Sequence, residues 1–398
     1  MKSVLTGDDS MVPYMEVPLS IPNICGNEWK YVRECLDTNW VSYVGSYVDK
    51  FEDIVGDYVG AKYAAATMSG TAALHTALLV AEVEPDDEVL VSALSFIAPA
   101  NAIRYVGAYP VFIDSEDDYW QMDPEKVVDF LETKCRWSRG ALYNKSSGRR
   151  IKAILPVHIL GHPVDMSPIL DIAKKYELVI IEDAAESLGA KYKGEHVGHL
   201  GDIGCFSFNG NKVITCGGGG MIVTDNEVWA HKAKHLTTQA KVDSLEYIHN
   251  DIGYNYRMTN IQAAIGVAQM EELDNFIKRK RQIAVAYTEG LSNLSDFVLM
   301  SESESAFSTY WLYTIVLKQS ESKSNSRDLI SLLQDRGIQS RPLWYPLHLQ
   351  ETYQDCEYYG IDCAHRLHAL AVQLPSSSGI TDQEIEHVVS SLQMLCAE

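Results

Sequence analysis

Between about residues 27 and 225, short apolar runs alternate with segments whose apolar residues recur every three or four positions. EVLVSAL (88–94), YPVFIDS (109–115), IKAILPVHI (151–159), ELVIIEDA (177–184) and DIGCFSF (202–208) read as strands. TAALHTALLVAE, APANAIRYVG, DPEKVVDFLE and SPILDIAKKY between them read as amphipathic helices. Strands separated by helices need crossover connections, so the pattern predicts an α/β fold with a mostly parallel central sheet flanked by helices. Ligands in such sheets sit beyond the carboxyl ends of the strands, where the polar residues after each strand converge.

After Thr259 the pattern changes. A long helix, NIQAAIGVAQMEELDNFIKRKRQIAVAYTEGL, leads into strand candidates and a closing helix near DQEIEHVVSSLQML. We expect a large domain over 1–260 and a smaller C-terminal α+β domain over 261–398, entered through that helix. The polar run 133–150 reads as a surface insertion, ESKSNS (321–326) as a loop, and Lys278-Arg279-Lys280-Arg281 as a solvated helix face.

Bulk properties narrow the function. A net charge of −21 argues against nucleic acid, which needs a basic face. No apolar run of about 18 residues is present, so no membrane span is expected. MKSVLTGDDSMVPY lacks the apolar core of a secretory signal. The eight cysteines show no CxxC and no zinc-like spacing, which predicts reduced thiols, a cytoplasmic protein and no metal site.

Four short stretches carry chemistry. In SGTAAL (69–74), Ser69 or Thr71 can cap a helix and Gly70 admits close backbone approach, which makes an anion site as well as an ordinary cap. In IIEDAAES (180–187), Glu182 and Asp183 end a buried strand, where a carboxylate needs a partner. In FSFNGNKVITCGGGG (206–220), Lys212 lies between an apolar strand and four glycines, an awkward setting for a solvated ammonium. An amine there can form a Schiff base with an aldehyde. In LSFIAPAN (94–101), Phe96 could stack on a flat ring or simply fill the core. Together these match the needs of pyridoxal 5'-phosphate: an anion site, a carboxylate for the ring nitrogen, an aromatic cover and a lysine.

With these motifs in place, the chain resembles the DegT/DnrJ/StrS family of nucleotide-sugar aminotransferases, of the aspartate aminotransferase fold (fold type I). PLSIPNICGNEWKYVRECLDTNWVSYVGSYVDKFE, LPVHILGHPVDM, IGYNYRMTNIQAAIG and RPLWYPLHLQ extend the likeness over nearly the whole chain. The resemblance implies Lys212 as the Schiff-base lysine and Asp183 as partner of the ring nitrogen. Gly70, Thr71 and Ser207 match phosphate-holding positions and Phe96 the stacking aromatic. Asn255 matches an asparagine that reaches the phosphate of a neighbouring subunit, which implies a homodimer with shared sites. Arg257 and His348 fall in segments lining the substrate side. Glu186, also placed with the cofactor set, stands where His or Gln is frequent, and the glycine run lacks the acidic residue many members carry. These departures and the 133–150 run resemble the subset acting on UDP-linked 4-keto-6-deoxy-N-acetylhexosamines, as in legionaminic-type pathways. The implied reaction moves the amino group of L-glutamate to C4 of the keto sugar, for surface glycan synthesis. A different nucleotide keto sugar (3-keto, or dTDP- or GDP-linked), an amino-acid lyase and a non-catalytic sensor are the alternatives. A sugar dehydrase, which has histidine for the lysine, is disfavoured by Lys212.

Overall fold

The computed structural model describes residues 15–243, 245–318 and 325–397. The expected sheet is present. Its seven main strands are β1 (Tyr63–Thr67), β2 (Glu88–Ser92), β3 (Tyr109–Ile113), β4 (Arg150–Leu155), β5 (Val179–Asp183), β6 (Ile203–Ser207) and β7 (Gly220–Thr224). They lie in the order β1-β7-β6-β5-β4-β2-β3. β7 pairs antiparallel with both neighbours, and the other neighbouring pairs run parallel. Parallel strands covered on both faces are buried along their length: all five residues of β2 are buried, and its centre, Val89 to Val91, is apolar.

β1 and β7 were not among the strands read from the sequence. β1 is YAAAT, and alanine has little strand preference. Its place is fixed by five consecutive pairs with β7, from Tyr63 opposite Thr224 to Thr67 opposite Gly220.

The 133–150 run is more than a surface insertion. Cys135–Ser138 and Ala141–Asn144 form a hairpin, and Leu142 pairs with Ile151 to add it to the edge of β4. Cys135, Leu142 and Asn144 are buried, while Arg136 and Trp137 stay exposed; burial alternates along Ala141–Asn144, where the hairpin joins the sheet. The ESKSNS run lies largely outside the described residues; Asn325 and Ser326 begin the helix Ser326–Asp335, with Asn325 capping it.

The long helix runs Asn260–Leu291 and opens with a capping box between Thr259 and Gln262. It packs along the helices Glu28–Asp37 and Ser46–Val59. Four consecutive helical residues sweep about 300° at 3.6 residues per turn, so Lys278 to Arg281 cannot share one face. Lys278 is exposed, Arg279 pairs with Asp382 at 2.7 Å and Arg281 with Glu302 at 2.8 Å, and Lys280 is buried. The solvated-face expectation therefore fails for Lys280, while Arg279 and Arg281 stay part-exposed in their ion pairs.

Beyond that helix, Phe297–Leu299, Thr314–Leu317, Ala371–Gln373 and Arg341–Pro342 form a separate antiparallel sheet in that order. Two links cross between the ends of the chain: Val17 bridges Ile338, and Tyr358–Tyr359 pairs parallel with β3. No helix among the described residues is long and apolar enough to cross a membrane.

Candidate active site

The carboxyl ends of β1, β2, β5 and β6 open on one cavity of about 330 Å³. β1 leads into the helix Gly70–Val80, capped by Ser69, whose Oγ accepts from the Ala72 amide at 3.1 Å. The first turn of any helix leaves leading amides without intrahelical acceptors, and these face the cavity here. A Cβ at Gly70 would stand 2.7 Å from Ser207 Cβ, so only glycine lets this turn lie against the end of β6.

β5 ends in two carboxylates with different work. Glu182 is consumed inside the protein: its oxygens accept from the amides of Gly198, Leu200 and Gly201 and face His158 Nε2 at 2.9 Å. Asp183 borders the cavity, 3% exposed, with Oδ1 accepting from the Ala185 amide at 3.0 Å. Burial pushes its pKa up; the Ala185 amide, Lys212 and His158 pull the other way. Glu186 is also buried, and burial raises its pKa against the opposing pull of Lys212. Its Oε2 accepts from the Leu160 amide at 2.9 Å and its Oε1 lies 3.5 Å from Lys212 Nζ.

Lys212 follows β6 in a loop, its amide donating to Asn209 O at 3.1 Å. Its side chain is 14% exposed, and Nζ stands 4.3 Å from the centre of the Trp311 ring. A lysine set between a buried carboxylate and an indole face is held in place and still open to the cavity.

Seven residues expected from the sequence border this cavity: Gly70, Thr71, Phe96, Asp183, Glu186, Ser207 and Lys212. Phe96 is at the rim, 58% exposed. Three others do not border it. Asn255 is exposed and bridges Thr238. Arg257 is bound to Glu52 and to Ala66 O, because the buried Glu52 carboxylate needs a cation. His348 is buried with Nε2 2.8 Å from His365 Nε2 and its ring 5.1 Å from that of Tyr358. Within one subunit, Arg257 and His348 thus lie outside the cavity that holds Lys212. Trp311 and Trp344 do border the cavity and were not picked out. Trp311 is a hundred positions from the loop it covers, donating from Nε1 to Asn211 O at 2.6 Å, and no local pattern signals that.

Known proteins place this arrangement. The model of the DegT/DnrJ/EryC1/StrS aminotransferase family matches residues 22–393. The chain belongs to that family. It is 40% identical to the GDP-perosamine synthase of Escherichia coli O157:H7 over 376 residues, covering 94% of this chain and 97% of the relative. The GDP-perosamine synthase of Caulobacter vibrioides is 37% identical, with 95% and 98% covered. A Streptococcus pneumoniae protein, described as a sugar aminotransferase and solved in its PLP form, superposes with a TM-score of 0.85. It is 25% identical, with 96% of this chain and 99% of that chain covered. The protein is thus a nucleotide-sugar aminotransferase dependent on pyridoxal phosphate, with the fold of that class.

The residues present fit that cofactor. Helix-start amides with Thr71 and Ser207 suit a phosphate, the buried Asp183 suits a basic ring nitrogen, and Lys212 offers the amine an aldehyde needs.

Proposed function

We propose that the protein transfers the amino group of L-glutamate to the C4 keto group of a GDP-linked 4-keto-6-deoxyhexose, giving a 4-amino-4,6-dideoxy nucleotide sugar for a surface glycan. The observation that carries the chemistry is the position of Lys212 Nζ, free toward the cavity between Glu186 and Trp311 and across from buried Asp183. The carrier nucleotide is read from the relatives. Both are named for a GDP-linked sugar, which favours guanosine diphosphate over the uridine diphosphate suggested by the glycine run and Glu186.

When bound, pyridoxal phosphate supplies an aldehyde that takes up the amino group and a conjugated ring that spreads the electron pair left by proton loss. Gly70, Thr71 and Ser207 would hold its phosphate, and Phe96 at the rim would be the aromatic available to its ring. Asp183 would keep a proton at the ring nitrogen, a role its enclosed carboxylate can fill because little water competes for it. Lys212 would supply the amine that the cofactor's aldehyde needs, and its Nζ would take a proton from the donor's Cα as base and give it back as acid. Glu186 faces the same amine, its Oε1 3.5 Å from Nζ, and holds it toward the cavity.

The division near residue 260 and a homodimer complete the proposal. Leu245, Tyr247 and Ile252 are 83%, 73% and 80% exposed beside the exposed Asn255, a cost that a second copy would remove while bringing Asn255 to its site. We assign the reaction to the cytoplasm, in keeping with eight unpaired cysteines.

The test is a panel of GDP-, UDP- and dTDP-linked 4-keto-6-deoxy sugars, each incubated with 15N-glutamate and followed by mass spectrometry. The GDP sugar is expected to gain the label at C4. Labelling of a UDP-linked N-acetylhexosamine alone would return the substrate to the uridine series, and labelling at C3 would overturn the regiochemistry.

A further inference from the structure

Lys280 is the member of the basic quartet that turns inward. It is 3% exposed, and its Nζ donates to Trp311 O at 3.0 Å and to Ser376 O at 2.8 Å. No carboxylate pairs with it among the described residues, and burial alone perturbs it. An unpaired buried amine is costly, and a methionine would fill a similar volume without that cost. What the lysine adds is direction: donors aimed at two carbonyls from separate segments.

One of those carbonyls belongs to the residue that covers Lys212. The Trp311 amide donates to Leu160 O at 2.9 Å, so Lys280 and Leu160 hold its main chain from two sides. Its side chain is pinned by the bond from Nε1 to Asn211 O and lies over Lys212 Nζ. Lys212 and Lys280 also border one small cavity of about 10 Å³, together with Thr215 and Gln269. Contacts thus run without a gap from Lys280 through Trp311 to Lys212.

We propose that Lys280 is a positioning residue: by fixing the Trp311 main chain it seats the indole over Lys212 Nζ and so sets the approach from which that amine moves its proton. This rests on the reading of Lys212 as the cofactor lysine. Lys280 itself touches neither substrate nor cofactor.

A double-mutant cycle tests it. Lys280→Met should lower kcat at least tenfold while KM for glutamate and for the keto sugar stays within twofold. Trp311→Leu should do the same, and the double variant should be no slower than Trp311→Leu alone. Lys280→Arg, which keeps the donors, should recover most of the rate. In cofactor-free full-length protein, both Lys280→Met and Trp311→Leu should let an amine-reactive reagent modify Lys212 at least threefold faster, read by peptide mass spectrometry. An unchanged kcat, losses that multiply in the double variant, or unchanged labelling would each overturn the proposal. Unchanged labelling in Trp311→Leu would by itself remove the cover on which the proposal depends, so the proposal can be overturned even where Lys280→Met fails to fold. Labelling of cofactor-free protein is also independent of turnover. If wild-type Lys212 never joins the cofactor, the functional reading fails instead.

Discussion

Asp183 and Glu186 are two buried carboxylates that share the electrostatic influence of one amine, and their other partners separate their roles. Asp183 keeps one oxygen beyond its bond to the Ala185 amide, whereas Glu186 is spent on the Leu160 amide and on Lys212. Lys212→Ala should therefore lower kcat by about 10²- to 10⁴-fold, the range for removing a general acid–base, in a glutamate half-reaction assay. Asp183→Asn, which cannot hold the ring proton, should lose at least about 10²-fold in the same assay, with the sugar KM little changed. Lys280 gives a pH test. Burial lowers its pKa from 10.5 to about 7, so between those values the unfolded chain binds the proton and the folded protein does not. Stability relative to Lys280→Met should thus rise with pH from about 7 to 10.5 and be flat below, as urea midpoints across that range would show. Lys212 and Asp183 were legible because their flanks are odd for a charge: FSF and four glycines, and the end of an apolar strand. The pairing of Arg257 with Glu52 was not, because the two residues lie 205 positions apart.

At the scale of elements, legibility follows how locally each one is specified. The long helix begins where Thr259 and Gln262 announce a cap, and β2 to β6 announce themselves as apolar runs between periodic helices. β1 is specified by its neighbour rather than by its alanines, and the 133–150 hairpin by an alternation hidden among Arg, Ser and Lys. Lys278 to Arg281 read as one face only if helical rotation is ignored. The helix Gly70–Val80 carries the site's most exacting junction. Gly70→Ala would drive a methyl to 2.7 Å from Ser207 Cβ, forcing the helix start and the end of β6 apart. It should cost about 1–3 kcal/mol in denaturant unfolding, the usual range for overpacking, and weaken cofactor binding measured by dialysis more than it slows the bound enzyme.

The whole molecule gathers residues from widely spaced parts of the chain at one sheet edge, and covers them from the far end with Trp311 and Trp344. The parallel sheet and its ligand edge were readable from strand–helix alternation; this covering was not, since it depends on long-range packing of a second sheet. The apolar surface around Leu245 and Ile252 belongs to this scale as well. On the proposed homodimer, Leu245→Asp with Ile252→Asp should leave a monomer in sedimentation and lower activity at least tenfold. The account as a whole stands on one bond. Borohydride reduction of the cofactor-loaded protein, followed by peptide mapping, should find the phosphopyridoxyl mass on Lys212 and leave Lys280 unmodified; that mass on another lysine, or on none, would contradict it.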